Sequence, residues 1–157
     1  AIAADLDGDG AHEILIPRTG PINALEVWSS GQLPSASSSS FVRVQNLSGG
    51  TNLHWIASGD VDGDGDEDQV VAASGSSTVQ VWGHESGSLV ADHLLAGVEG
   101  AVCVLLADLD GDGKVEIISS NHLANAFSVH FNQSIFDCNG NGIDDPLDVN
   151  SGFAQDC

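Results

Sequence analysis

Three short acidic segments carry the side chains that are best suited to chemistry in this chain. They begin at Asp5, Asp60 and Asp108, and each reads D-x-D-G-D-G-x-x-[DE]. Numbered from its first Asp, each loop has carboxylates at positions 1, 3, 5 and 9 and a glycine at position 6. Alternate side chains of a tight loop can converge on one point, and the glycine permits the sharp turn that aims the position 7 carbonyl there. This all-oxygen set of donors predicts a site for Ca²⁺ rather than for a softer metal.

The net charge supports the same interpretation. The 157 residues include 23 acids and only three basic residues, which gives a formal charge of −20. Twelve of the 23 acids occupy carboxylate positions of the three loops, so we interpret much of the charge as a device for binding cations. Acidity that serves solubility alone is the alternative, but it would not require the fixed offsets at which the acids stand.

Composition also limits the partners. A chain this acidic makes nucleic acid and anionic membrane surfaces poor partners. No apolar run approaches the roughly 18 residues that a membrane-spanning helix needs, so we expect no membrane insertion. The chain contains no methionine, and we expect it to be a processed or excised piece of a longer protein.

Strand-like runs follow each loop at a nearly constant distance. Apolar residues alternate in three of these runs, which predicts strands with one buried face. The alternating pairs are Leu25 and Val27, Val79 and Val81, and Phe127 and Val129. Together with further runs around them, they predict a repeating unit of strand, loop, strand, turn, strand, link and strand. We expect the first loop to lack its preceding strand.

The repeat length indicates the architecture. The first Asp of successive loops recurs after 55 and then 48 residues, and four short strands in such a period are typical of a β-propeller blade. The sequence therefore predicts an all-β fold over residues 1–133: a partial β-propeller of about three four-stranded blades with calcium-binding β-hairpin loops. Because propellers typically have four to eight blades, we expect a fragment of a larger propeller or an open partial array.

Residues 134–157 depart from this pattern and predict a short irregular calcium-loop tail. Positions 1, 3, 5, 7, 9 and 12 of this loop are Asp137, Asn139, Asn141, Ile143, Asp145 and Asp148. Position 12 is the one that an EF-hand loop uses to close its site. Asn at positions 3 and 5 lowers the charge, so we predict a fourth, weaker Ca²⁺ loop. The alternative is an Asn-Gly-rich turn cluster without metal.

With these strands and loops together, residues 1–133 resemble FG-GAP or VCBS-type repeats, the blades of integrin-alpha-like β-propellers. In that family the loop bridges the first two strands of a blade, and the bound ion fixes their geometry. The resemblance implies twelve carboxylate ligands: Asp5, Asp7, Asp9, Glu13, Asp60, Asp62, Asp64, Asp68, Asp108, Asp110, Asp112 and Glu116. It also implies carbonyl ligands from Ala11, Asp66 and Lys114. The Phe-Gly and Gly-Ala-Pro segments that name the family are absent, and Glu13 and Glu116 replace the usual Asp at position 9.

The tail is similar to Asp-Cys-Asn-Gly-Asn-Gly arrays of secreted bacterial proteins, which resemble thrombospondin type 3 and dockerin calcium repeats. Leu147 stands where that pattern has its second cysteine, so the usual bridge within one repeat is not available. Cys138 could pair with Cys157, and the sequence leaves the state of these two cysteines and of Cys103 open.

No motif for catalysis accompanies the loops. The six histidines form no H-E-x-x-H motif, and no G-x-S-x-G is present. His130 stands where the two earlier repeats have Trp28 and Trp82, which favours a structural role. Cys103 lies in an apolar strand and is predicted to be a buried, inert thiol. The tryptophans, including Trp55, could line a sugar site, but such strand positions are more often core. We predict that the chain is not an enzyme.

Two classes of function remain. The first, which we favour, is a non-catalytic extracellular module that calcium rigidifies for adhesion, ligand binding or surface display. The second is an accessory carbohydrate-binding or structural part of a secreted polysaccharide-active enzyme, and the sequences that flank this chain would discriminate between the two. Because such loops fill only where calcium is plentiful, we expect a secreted or cell-surface protein. Its expected partners are further propeller blades and an extracellular protein or glycan whose identity the sequence does not specify.

Overall fold

Eleven β-strands build the part of the chain that the computed structural model describes, which comprises residues 1–7, 9–30 and 41–132. The strands are β1 (Ile2–Ala4), β2 (Glu13–Arg18), β3 (Ala24–Ser29), β4 (Val42–Ser48), β5 (Leu53–Gly59), β6 (Asp68–Ala73), β7 (Thr78–Glu85), β8 (Ser88–Ala96), β9 (Ala101–Ala107), β10 (Glu116–Asn121) and β11 (Ala126–His130). Every regular element in these ranges is a strand, so the all-β prediction is confirmed.

The strands form three antiparallel sheets, in each of which every strand pairs with its neighbour in sequence. Strands β1–β4 make the first blade, β5–β8 the second and β9–β11 the third. The fold is therefore a partial β-propeller, as the repeat length predicts.

The first blade has a strand that the sequence analysis missed. Strand β1 precedes the first loop, and it pairs with β2 through Ile2 and Leu15, Ala3 and Ile14, and Ala4 and Glu13. The expectation that this loop lacks its preceding strand is therefore wrong, because three residues suffice for antiparallel pairing across a tight loop. Any fourth strand of the third blade, together with the predicted tail segment 134–157, falls outside the described residues.

The repeat persists in the strand register. In each blade, position 10 of the loop numbering lies in the second strand. Its partner in the third strand is the residue that the sequence repeat aligns from blade to blade. The three pairs are Ile14 with Trp28, Gln69 with Trp82, and Ile117 with His130. His130 therefore occupies the site of the two tryptophans, as the sequence offsets predict.

Strand β6 shows how neighbouring blades meet. All six of its residues are buried. Val71 and Ala73 belong to the core shared with the first blade, whereas Val70 and Ala72 belong to the core shared with the third. Because side chains alternate along a strand, positions 10, 12 and 14 point toward the preceding blade and positions 11 and 13 toward the following one. We call these two surfaces the backward face and the forward face of a blade.

Two apolar cores hold the blades together. The first contains Ala4, Leu6, Leu15, Leu25, Val27, Leu53, Ile56, Val71, Ala73, Trp82 and Leu89. The second contains Val70, Ala72, Val79, Val81, Val98, Ala101, Val104 and Ile117. Full burial of a Val or Leu side chain stabilises by about 1.5–3 kcal/mol, so each inter-blade core is a major source of stability.

The tryptophans have three different environments. Trp82 is only 1% exposed in the first core, and its ring lies so close to Gly49 that a Cβ at residue 49 would clash with it. Trp28 is half-buried on the backward face of the first blade, and Trp55 is 53% exposed. The prediction that the tryptophans belong to the core is therefore confirmed for Trp82 and wrong for Trp55.

The predicted burial of Phe127 is also wrong. Its side chain is 71% exposed, whereas Leu25 and Val79, which hold the same site in the other blades, are fully buried. Phe127 pairs with Ser120 at position 13, so it lies on the forward face of the third blade. Neither of the two cores includes this face.

Candidate metal sites

Each acidic loop joins the first two strands of a blade, so the predicted β-hairpin loops are confirmed. Position 9 is the first residue of the second strand in all three cases: Glu13 in β2, Asp68 in β6 and Glu116 in β10. These three carboxylates are buried, whereas the acids at positions 1 and 3 are half-buried or exposed. Because position 9 belongs to the second strand, the sheet holds this acid of each loop in place.

The structure brings together three of the four predicted carboxylates in every loop. Positions 1, 3 and 9 each offer an oxygen, and these oxygens lie within 4.8 Å of one another. The three groups are Asp5, Asp7 and Glu13; Asp60, Asp62 and Asp68; and Asp108, Asp110 and Glu116. Carboxylate oxygens at this separation fit a hard divalent cation such as Ca²⁺, and without one their charges repel.

Backbone donors orient the position 9 acid in the same way in each loop. The N–H of position 2 donates to this carboxylate: Leu6 to Glu13 at 3.1 Å, Val61 to Asp68 at 2.8 Å and Leu109 to Glu116 at 2.7 Å. The extra methylene of Glu13 and Glu116 therefore does not prevent the acid from reaching the same place.

The glycine at position 6 turns the chain back toward position 1. Its N–H donates to the first Asp at 3.0 Å in the loop of Asp5 and at 3.1 Å in the loops of Asp60 and Asp108. All three glycines have φ between 86° and 92°, in the left-handed region that favours glycine. The predicted sharp turn is confirmed.

The acid at position 5 behaves differently from the other three. Asp9, Asp64 and Asp112 are not members of the 4.8 Å groups, and each accepts the N–H of position 7 at 2.7–2.9 Å. Their role as ligands remains a prediction, as does carbonyl ligation by Ala11, Asp66 and Lys114.

In the middle loop, burial and neighbouring charges act against the ionised forms of two acids. Burial raises the pKa of Asp62, and the charges of Asp64 and Asp60 add to the rise. Burial likewise raises the pKa of Asp68, with further contributions from Asp62 and Asp64, although N–H donors partly offset it. Both shifts mean that the ionised forms are disfavoured in the absence of a counter-charge, which a bound cation would supply.

Two supporting residues were missed by sequence reasoning. The N–H of His84 donates to the second oxygen of Asp68 at 3.2 Å, and the N–H of Asn132 donates to that of Glu116 at 3.5 Å. Each lies two residues after the shared Trp82 or His130 site, and this constant offset was the available signal. His84 Nδ1 also lies 3.2 Å from Asp66 Oδ2, so the carboxylate of Asp66 contacts a side chain outside the loop.

The remaining candidates lie elsewhere. The tail residues Asp137, Asn139, Asn141, Ile143, Asp145 and Asp148 lie outside the described residues. Cys103 is a free thiol that is half-buried rather than buried as predicted. His130 lines a hollow of about 360 Å³ between the second and third blades. Within the described ranges, no helix is long and apolar enough to cross a membrane.

Comparison with known families supports the repeat assignment for part of the chain. Residues 60–119 match the family model of the FG-GAP-like repeat. This segment begins at the first Asp of the middle loop and ends within β10, so it contains the second and third loops. No curated protein matches the chain. Residues 60–119 therefore carry FG-GAP-like repeat sequence within a partial propeller.

Proposed function

We propose that this chain is a calcium-binding extracellular β-propeller module that serves adhesion, ligand binding or surface display without catalysing a reaction. The observation that carries the proposal is the threefold recurrence of one carboxylate group, held by the same backbone hydrogen bonds, at the same place in each blade. The FG-GAP-like match over residues 60–119 supports a propeller-like module of this type.

The proposed role of the cation is to rigidify each hairpin. The position 9 acid belongs to a strand, whereas positions 1 and 3 belong to the loop, so one ion bound by all three ties the loop to the sheet. Binding to the native state alone would stabilise the fold by about 2.7 kcal/mol per site at a hundredfold excess over Kd. A ligand-presenting surface benefits from such rigidity because less conformational entropy is lost on binding.

The proposed location and partners follow from the same sites. Calcium loops of this kind with micromolar to millimolar affinity are filled where calcium is abundant, which favours a secreted or cell-surface location. The partners would be an extracellular protein or glycan and further propeller blades. Neither nucleic acid nor membrane insertion fits a net charge of −20.

A second candidate is the carbohydrate-binding accessory part of a secreted polysaccharide-active enzyme. The exposed ring of Trp55 favours it, because this side chain lines a shallow hollow of about 70 Å³ together with Ile2, His54 and Ile56. Aromatic rings of this kind offer an apolar surface to a ligand. Binding to a glycan array that is lost in Trp55→Ala and kept in Trp28→Ala would favour this candidate over a protein ligand.

The proposal is tested by metal titration of the purified chain. Calorimetry should show at least three Ca²⁺ bound per chain and clearly weaker binding of Mg²⁺, which requires a smaller octahedral site. Asp62→Asn should remove one Ca²⁺ equivalent. The matched control is Asp92→Asn, which removes the same charge outside the loops and should leave the stoichiometry unchanged. Equal affinity for both ions, or fewer than three Ca²⁺ on folded protein, would contradict the proposal.

A further inference from the structure

One side-chain amide joins the middle acidic loop to the third. Nδ2 of Asn132 donates to the carbonyl of Val61 at 2.6 Å and to the carbonyl of Val115 at 3.3 Å. An asparagine amide carries two N–H groups, so each of them can serve one carbonyl. Val61 is position 2 of the middle loop, and Val115 is position 8 of the third loop. Asn132 therefore forms a bridge between the loops of two neighbouring blades.

Each of these two carbonyls lies directly beside an acid of a metal group. The carbonyl of Val61 belongs to the peptide unit before Asp62, which is a member of the middle group. The carbonyl of Val115 belongs to the peptide unit before Glu116, which is a member of the third group. The backbone N–H of Asn132 also donates to Glu116 at 3.5 Å. A single residue thus positions the backbone next to one acid of each group.

The equivalent residue of the second blade makes no such bridge. The N–H of His84 donates to the position 9 acid Asp68, as that of Asn132 does to its own position 9 acid. The Nδ1 of His84 lies 3.2 Å from Asp66 of the same loop, and its Nε2 has no hydrogen-bond partner among the described residues. His84 and Leu6, which is position 2 of the first loop, line a hollow of about 350 Å³. His84 therefore does not join the first loop to the middle loop as Asn132 joins the middle loop to the third.

We propose that Asn132 couples calcium binding by the middle and third loops, so that occupation of one raises the affinity of the other, and that the first loop lies outside this coupling. The inference rests on the proposed calcium function. When the carboxylates of one loop hold a cation, the backbone beside them loses freedom, and the hydrogen bonds of Asn132 restrict the other loop as well. That loop then loses less conformational entropy when it binds in turn, which is positive cooperativity.

Repulsion between bound cations would act in the opposite direction. If charge alone linked the two loops, the loss of one Ca²⁺ would tighten the binding of the other. The bridge through Asn132 instead predicts that the loss of one Ca²⁺ weakens the other. Salt at about 0.15 M reduces the screening length to about 8 Å and so limits the repulsion. The direction of the change in affinity therefore distinguishes the two causes.

The first test follows each loop separately by NMR of the ¹⁵N-labelled chain during titration with Ca²⁺. The amides of Gly10, Gly65 and Gly113 serve as reporters, because each donates to the first Asp of its own loop. We expect the third loop to fill after the middle one, and Asp62→Asn, which impairs the middle loop, should weaken Ca²⁺ binding at Gly113 about fivefold. If the middle loop fills second, Asp110→Asn with Gly65 as the reporter is the same test.

The matched control for this test is Asp7→Asn, which impairs the first loop and should leave the affinity at Gly113 unchanged. If the loop that fills second kept its affinity or bound more tightly when its neighbour was impaired, the coupling would be overturned while the calcium function stood. If the unmodified chain bound no Ca²⁺ at these loops, both proposals would fail.

The second test assigns the coupling to the side chain of Asn132. Asn132→Ala removes the bridge and keeps the backbone N–H that faces Glu116. In this background Asp62→Asn should no longer change the affinity of the third loop. The control is His84→Ala, at the equivalent site of the second blade, in which the fivefold coupling should persist. Coupling that survived in Asn132→Ala would overturn the assignment. The first test needs no change at residue 132, so it decides whether the loops are coupled even if this variant folds poorly.

Discussion

The three acidic loops look alike in the structure, whereas the three forward faces do not. Each loop brings its carboxylates at positions 1, 3 and 9 within the same 4.8 Å and uses the same backbone donors. By contrast, equivalent residues on the forward faces range from fully buried Leu25 and Val79 to exposed Phe127. The geometry of a loop is therefore specified by its own nine residues, whereas the burial of a face depends on whether a neighbouring blade covers it.

Removal of calcium should have the largest effect, because it acts on all three loops at once. Chelation removes the linkage stabilisation of about 2.7 kcal/mol per site expected at a hundredfold excess over Kd and leaves the carboxylates to repel one another. We expect a markedly lower melting temperature by calorimetry or circular dichroism, with partial recovery at high salt as the repulsion is screened. If chelator left the melting curve unchanged, the acids of the loops would not bind a stabilising metal and would act as surface charge only.

Truncation of equivalent forward-face residues should come next in size. Leu25→Ala should destabilise the fold by about 2–5 kcal/mol, because it leaves a cavity in the first core. Phe127→Ala should change the free energy of unfolding by less than about 0.5 kcal/mol in the monomer, since its ring is mostly in solvent. Urea titrations at low protein concentration measure both values. Equal losses would mean that the third forward face is covered in solution.

The three loops should differ from one another in Ca²⁺ affinity, although their geometry is alike. The middle loop has Asp at position 9 and two further acids, Asp66 and Glu67, whereas Lys114 adds a positive charge to the third loop. We therefore expect the Asp60 loop to bind Ca²⁺ most tightly and the Asp108 loop more weakly, because ligand charge tunes affinity.

Single-site variants would rank the loops. Titration of Asp62→Ala should show loss of the tightest site, and titration of Asp110→Ala should show loss of a weaker one. From the sequence alone, the tail loop with Asn139 and Asn141 should be the weakest, and Asp148→Ala tests it. If Asp148→Ala removed the tightest site, preorganisation rather than charge would determine the affinity.

The smallest effect should come from the charged cluster on the backward face of the first blade. Burial raises the pKa of Glu26, but hydrogen bonds from Arg43 and Trp28 and the charges of Arg18 and Arg43 outweigh it, so the pKa is lowered overall. A lowered pKa contributes stability that is present above the unfolded-state value and is lost as the pH falls through the folded-state value. Because both arginines are nearly half exposed, solvent screening limits the contribution to about 0–1 kcal/mol.

Comparison of Glu26→Gln with the unmodified chain tests the direction of the pKa shift of Glu26. The variant should be less stable at neutral pH, and the stability gap should close as the pH falls below the ordinary range of a glutamate pKa, where the carboxyl of Glu26 becomes protonated. The other acids titrate in both proteins and cancel in the difference. A gap that widened on acidification would contradict the lowered pKa.

The loops, the strands and the order of the strands along the chain were predictable from local sequence patterns. The spacing of acids and glycines is local, so D-x-D-G-D-G-x-x-[DE] was enough to predict the turn, the position 9 acid and the hairpin around them. Alternation of apolar residues identified the strands because the side-chain period of a strand is two. The three-residue strand β1 was missed because so short a run carries no period.

Which side of each strand is covered depends, by contrast, on how the blades pack against one another. Leu25, Val79 and Phe127 hold one site in the repeat and have the same apolar character, so no local pattern distinguishes them. Their burial depends on the presence of a following blade, which is a contact between distant parts of the chain. The same holds for Trp55, for the His84 and Asn132 donors behind the position 9 acids, and for the two arginines on Glu26. Such placements follow from how whole sheets pack, and this information is not contained in any short stretch of sequence.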